Sequence, residues 1–205
     1  MKAAKLILVL ILTVIFIRSN AQELTYTFVG SLSDVNTIVL NDLSGDCTLF
    51  QSTTDELNVK SELYINGETW GWKLPDRRPV FNIYSRQSND TLYIEMPYKF
   101  SFKVIGISTY SEQIKSVLQI PNDKQIIVRK AEKLSIEGEF NYLNIQNTTE
   151  LYCNTIFKMN MNRISCKATE RLTINGIRHN NLYEWEGQGN GNYNLQANHI
   201  FLTTK

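Results

Sequence analysis

The chain has 205 residues, with 21 basic and 20 acidic side chains and a formal net charge of +1. Interspersed charges that nearly cancel exclude electrostatic capture of nucleic acid or of an acidic membrane surface as the main function. The two densest basic spots, Arg77-Arg78 and Arg129-Lys130, are too short to form a patch.

The first predicted element is a leader over residues 1–21. Lys2 and Lys5 precede a 12-residue apolar run, Leu6 to Ile17, broken only by Thr13, and Ser19-Asn20-Ala21 supplies small residues before a cut. That is the three-part pattern of a secretory signal peptide. A membrane anchor is the alternative, but 12 residues of helix rise only about 18 Å against a hydrocarbon core of roughly 30 Å. No Cys stands at the cut, so a bacterial lipoprotein signal is missing, and no later segment is long and apolar enough to span a bilayer. Cleavage after Ala21 leaves 184 residues, 22–205, which suit one domain, with a charge of −2 because three basic residues leave with the leader.

The N-terminal half then alternates apolar and polar residues in short units: Tyr26-Thr-Phe28, Ile38-Val-Leu40, Cys47-Thr-Leu49, Leu57-Asn-Val59, Leu63-Tyr-Ile65 and Leu92-Tyr-Ile94. Period two marks a strand with one buried face. Asn66-Gly67 reads as a two-residue hairpin turn, opening a loop or hairpin insertion over 66–79 that carries Trp70, Trp72, Asp76, Arg77 and Arg78. Tyr98, Phe100, Phe102 and Val104 alternate as a strand, and Leu118 to Ile120 reads as a strand ended by Pro121.

From Ile126 onward the cadence is regular. Units start at Ile126, Leu134, Leu143, Leu151, Phe157, Ile164, Leu172, Leu182, Tyr193 and Ile200, at steps of 8, 9, 8, 6, 7, 8, 10, 11 and 7 residues. Short strands at such spacing predict an all-β, right-handed parallel β-helix or β-solenoid-like stack, in which each unit adds its Leu, Ile or Val to a shared column. Asn residues such as Asn141, Asn144, Asn147 and Asn175 are assigned to the turns, and Gly187 to Asn192 with the last strand through Leu202 to a C-terminal cap.

The segment Ile38-Val-Leu-Asn-Asp-Leu-Ser-Gly-Asp-Cys-Thr-Leu-Phe, followed by Asp55-Glu-Leu-Asn-Val-Lys, resembles the opening of the adhesin β-solenoid family of exported bacterial proteins, relatives of the auto-transporter adhesin head or GIN-type domain. Leu118-Gln-Ile-Pro-Asn-Asp-Lys-Gln-Ile-Ile-Val is similar to that family's mid-chain step from strand through Pro to strand. Leaders ending Ser-Asn-Ala-Gln are similar to those of Bacteroidota. The resemblance covers most of residues 24–205 and implies a β-solenoid that binds at the cell envelope. It brings no catalytic residue. Few glycines in the rungs and the Trp-rich insertion depart from the family pattern.

Chemistry-bearing motifs are sparse. His179 and His199 are the only histidines, and neither neighbours Cys, Asp or Glu at ligand spacing, so no metal or cofactor is expected. Glycine-rich Gly187-Gln-Gly189-Asn-Gly191 opens no helix and reads as a turn. Trp70 and Trp72, beside Asp76, Arg77 and Arg78, are the candidate ligand-binding residues, with indoles to stack on a sugar or fill a partner's pocket. The structural reading is that a Trp, Trp185 included, covers an open end of the core. Cys47, Cys153 and Cys166 read as small core residues, with a Cys153–Cys166 disulfide as the alternative if their units stack directly. The functional reading is a non-enzymatic, exported adhesin-like binder or scaffold in the periplasm or at the cell surface, with an envelope protein or glycan as partner. The alternatives are an enzyme acting on envelope polysaccharide, which needs two converging carboxylates, or a sensory or structural envelope module.

Overall fold

The computed structural model describes residues 19–68, 76–100, 103–105 and 108–205. Among these residues the all-β expectation holds. The strands are β1 (Ser19–Ser31), β2 (Thr37–Asn41), β3 (Leu43–Ser52), β4 (Glu56–Glu68), β5 (Tyr84–Ser88), β6 (Thr91–Glu95), β7 (Lys103–Ile105), β8 (Ser108–Pro121), β9 (Gln125–Val128), β10 (Ala131–Glu137), β11 (Tyr142–Ile156), β12 (Met161–Ile174), β13 (Ile177–His179), β14 (Leu182–Glu186) and β15 (Gly191–Thr204). One 3-10 turn spans Lys158–Asn160. No described helix is long and apolar enough to cross a membrane.

Parallel pairing arranges the strands in two columns. The first runs β6, β2, β9 and then the leading parts of β11, β15 and β12. The second runs β8, β3, β10 and then the trailing parts of β11, β15 and β12. Each rung is therefore a strand of the first column, a corner, and a strand of the second. Register shifts at Ile145/Thr148 in β11 and Ala168/Arg171 in β12 mark the corners inside the long strands. Asn147, with φ 48°, turns the β11 corner, and its Nδ2 donates to the Arg129 carbonyl of the neighbouring rung at 3.3 Å. Asn tolerates that left-handed backbone and satisfies local backbone groups.

The apolar slots of the cadence become ladders. Leu92, Ile38, Ile126, Leu143, Tyr193 and Ile164 are register partners in the first column. Leu118, Leu49, Ile136, Cys153, Leu202 and Ile174 are register partners in the second. All are buried and belong to one core. Burying one such side chain contributes roughly 1.5–3 kcal/mol. The core's polar exceptions are paired: Tyr193 Oη accepts from the buried Phe140 N–H at 3.0 Å, and Ser61 Oγ lies 2.7 Å from Ser116 Oγ. On the outer face of the second column, Tyr152 and Phe201 stack at 4.8 Å between Lys133 and Arg171.

A solenoid that lays every rung on the one before it is not what the registers describe. In chain order the rungs enter through β2, β6, β9, β11, β12 and β15, but β2 lies between β6 and β9, and β15 lies between β11 and β12. The last two rungs are exchanged in space, and so are the first two. The C-terminal strand is thus interior rather than a cap. The ends are closed by antiparallel strands instead: β5 on β6, β4 and then β1 on β8, and β13 and β14 on β12.

Other expectations are also corrected. Asn66-Gly67 makes no hairpin. Both residues continue β4, because β1 and β8 pair along its two sides there, with Asn66 opposite Ala21 and Ser111. Tyr98 and Phe100 lie outside any strand, and Tyr98 is buried against Phe81. Phe102 lies outside the described residues, and Val104 is in β7. The Phe157 unit is the 3-10 turn that carries the chain from β11 to β12, leaving Met159 82 % exposed. The Leu182 unit is a strand, but an edge one with Leu182 exposed.

Leu151 sits in the middle of the second column at 0 % exposure, so Leu151→Ala should lower stability by about 2–5 kcal/mol. Met159→Ala should stay within about 0.5 kcal/mol of the parent. Urea unfolding of the two variants measures both; equal effects would contradict the assignment of inward and outward positions.

Candidate functional site

The anticipated aromatic site is divided by the structure. Trp70 and Trp72 lie outside the described residues. Arg77 turns inward: Nε sits 2.8 Å from Tyr98 Oη and 2.9 Å from Glu112 Oε1, and Nη2 donates to the Lys99 carbonyl at 2.8 Å. The Glu112 side chain is fully buried, so Arg77 holds its charge and fastens this segment to β8. Removing one partner of such a pair costs roughly 3–5 kcal/mol. Asp76 and Arg78 instead form an exposed pair at 2.7 Å, where solvent screens the two charges. Trp185 packs half-buried against the core opposite Ile164, with Lys158 over its ring, and so covers an end of the stack.

Cys47, Cys153 and Cys166 are buried free thiols. Cys153 and Cys166 do not share a rung contact: Cys153 is the partner of Leu202 in the second column, and Cys166 of Leu195 in the first. Burial pushes the Cys47 and Cys166 thiols up to about 12 and that of Cys153 well above its ordinary value. His199 lies 3.2 Å from Glu170, and His179 makes an edge contact with Tyr183. Among the described residues no group of three or more His, Cys, Asp or Glu side chains is placed to hold a metal ion.

The outward positions of the first column carry a different chemistry. Tyr142, Asn192 and Arg163 are consecutive register partners across β11, β15 and β12, and Asn144, Asn194 and Ser165 are the next such row. Their inward neighbours Leu143, Tyr193 and Ile164 are locked in the core, which fixes the outward set by alternation. Tyr142, Asn192, Arg163, Asn194 and Ser165, with Tyr193, line a groove of about 330 Å³. Asn194 Nδ2 donates to Asn144 Oδ1 at 3.3 Å, Asn162 Nδ2 to Asn192 Oδ1 at 3.0 Å, and Arg163 faces Glu184 of β14 at 3.6 Å.

The glycine-rich stretch delivers this row. Gly189 N–H donates to the Met161 carbonyl at 3.1 Å, and a Cβ at Gly189 would lie 2.1 Å from the Asn160 carbonyl carbon. Only glycine lets the backbone approach so closely. Asn192 N–H then donates to the Asn141 carbonyl at 2.8 Å, setting the register of the groove. Asn144, assigned to a turn by its type, is mid-strand. The signal that was present is Asn in the polar slot of two units, Leu143-Asn-Ile and Tyr193-Asn-Leu. Planar amide, guanidinium and carboxylate groups beside a phenol ring hydrogen-bond well to a polyhydroxylated or peptide surface.

Stacked parallel rungs, closed at both ends by antiparallel strands, define the class of all-β protein to which the chain belongs. No family model matches the sequence, and no curated protein is detectably similar to it. The crystal structure of a protein from Clostridium sporogenes, provisionally described as a cell adhesion protein, shares the fold with a TM-score of 0.51 at 12% identity, over 90% of this chain and 100% of that one. A provisionally described adhesin from Bacteroides fragilis aligns at a TM-score of 0.30 and 14% identity over 65% of this chain and 57% of its own, too slight a likeness to define a shared fold. The fold thus has a low-identity counterpart among solved structures.

Buried thiols give a pH-dependent expectation. Below the ordinary value of 9.0 each thiol keeps its proton in both states; between there and about 12 the unfolded chain releases protons that the folded chain retains at Cys47 and Cys166. Stability should therefore fall as pH rises through that window. Ellman's reagent at pH 8 should label none of the three thiols in native protein and all three in urea. One thiol in urea without reductant would show a disulfide.

Proposed function

We propose that the protein is an exported, non-enzymatic adhesin-like binding or scaffolding module of the bacterial cell envelope. The leader over residues 1–21 directs it to the periplasm or cell surface, and the two columns form a short, right-handed β-solenoid with exchanged end rungs. One observation carries the binding reading: a rigid sheet face presents the in-register row Tyr142, Asn192 and Arg163 in a groove, while the core behind it holds every outward side chain in place. Rigid elements position recognition groups better than loops do. The adhesion description of the Clostridium sporogenes protein is consistent with this role. Trp70 and Trp72 are proposed as accessory aromatic anchors for the same envelope partner.

Titration of purified protein onto bacterial envelope preparations tests the proposal. Arg163→Ala combined with Asn192→Ala should weaken binding at least tenfold with an unchanged melting temperature, and the envelope polysaccharide should be recovered at its original length. Undiminished binding by the double variant would refute the site, and shortened polysaccharide would favour an enzyme. N-terminal sequencing of the exported protein should begin at Gln22.

A further inference from the structure

A second groove lies at the opposite end of the first column, on the same outer face. It holds about 310 Å³ and is lined by Tyr84, Ser85 and Arg86 of β5 with Tyr93 and Glu95 of β6. Arg86 lies over the Tyr93 ring at 5.0 Å, and Glu95 accepts from Asn41 Nδ2 at 3.0 Å. Like the Tyr142 groove it is lined by tyrosine and one arginine; its glutamate, Glu95, is in the lining, whereas in the Tyr142 groove Glu184 stands beside Arg163.

The two grooves are joined by a continuous register. From Arg86 the partners run through Tyr93, Val39, Ile127 and Asn144 to Asn194 without a break. At about 4.8 Å per strand the grooves are roughly 20 Å apart, and the strip from β5 to β14 is about 30–35 Å long. Between them lie Val39, which is buried, and half-buried Ile127, so the middle of the strip carries no charge.

We propose that this strip binds one neutral, linear polysaccharide lying across the strands, with a tyrosine ring and hydrogen-bonding groups gripping it at each end. The inference rests on the binding reading given above and names its ligand class. Charge decides against a polyanion or polycation: Arg86 shares its groove with Glu95, and Arg163 faces Glu184 of β14 at 3.6 Å, so a charged polymer gains no net attraction. Vicinal hydroxyls match the paired donors and acceptors of Asn, Arg and Glu, and the apolar faces of sugar rings match the tyrosine rings. Two sites on one rigid strip act together on a ligand long enough to reach both.

The probes are neutral β-linked glucan, mannan and N-acetylglucosamine oligomers of two to about eight sugars, with polygalacturonate as the acidic control, titrated calorimetrically into the purified protein. For at least one neutral series the Kd should fall tenfold or more once the chain is long enough to span the grooves. Tyr84→Ala with Arg86→Ala, and separately Arg163→Ala with Asn192→Ala, should each abolish that length dependence while leaving short oligomers bound at the intact groove. Thermal melts identify any variant that fails to fold, and single Arg86→Lys and Asn192→Ser variants then replace it. Binding by no neutral series, binding independent of length, or tighter binding of polygalacturonate would overturn the inference. If these fail while the Arg163 and Asn192 double variant still loses envelope binding, the ligand class falls and the binding module remains. If that variant also binds envelope as the parent does, the broader reading falls with it.

Discussion

Everything in this molecule depends on parallel, in-register stacking of rungs whose apolar residues occur every second position. A one-residue slip would turn Leu134 and Ile136 out to solvent and bring Ser135 into the core. The same alternation that buries Leu143 and Tyr193 presents Asn144 and Asn192 on the outside, so the binding face and the core are two readouts of one register. The corner at Asn147 and the close approach at Gly189 preserve that register where the chain must bend.

A finite stack of parallel strands has two open ends, and open edges pair with other chains. Here the parallel edges are covered from within the chain by antiparallel strands. Exchange of rungs places β15 between β11 and β12, so the C-terminal strand is paired on both sides. Antiparallel β14 brings Tyr183 and Trp185 over the last rung, and at the opposite end β4 and β1 bring Val59 and then Phe28 over Leu118. β5 reaches β6, and β13 reaches β12, by short turns, whereas β1, β4 and β8 are separated along the chain by other strands.

Much of this was legible. The units at Ile126, Leu134, Leu143, Leu151, Ile164, Leu172, Tyr193 and Ile200 are all inward-facing strand positions, because period-two burial is a local property of sequence. Rung order was not legible: Ile164 and Tyr193 units have the same pattern, and nothing in alternation says which lies against Leu143. Asn66-Gly67 failed as a turn signal because pairing on both sides of β4 outweighs a local preference. Arg77 looked like a surface ligand group, and its role as anchor depends on Glu112, 35 residues away. The Asn-rich groove was missed because Asn was weighed as a turn former, although its repetition in the polar slot of two units marked a shared face.

The most direct measurement of the architecture is selective cross-linking of engineered cysteines, in a background where Cys47, Cys153 and Cys166 are Ala. In the arrangement described, Tyr152 and Phe201 are register partners and their rings stack at 4.8 Å, while Tyr152 and Thr173 are separated by β15. Adjacent strands place Cα atoms within disulfide reach and the next strand over does not. Tyr152→Cys with Phe201→Cys should therefore oxidise readily to a disulfide, and Tyr152→Cys with Thr173→Cys should not. The reverse outcome would mean that the rungs stack in chain order and that the exchanged end is wrong.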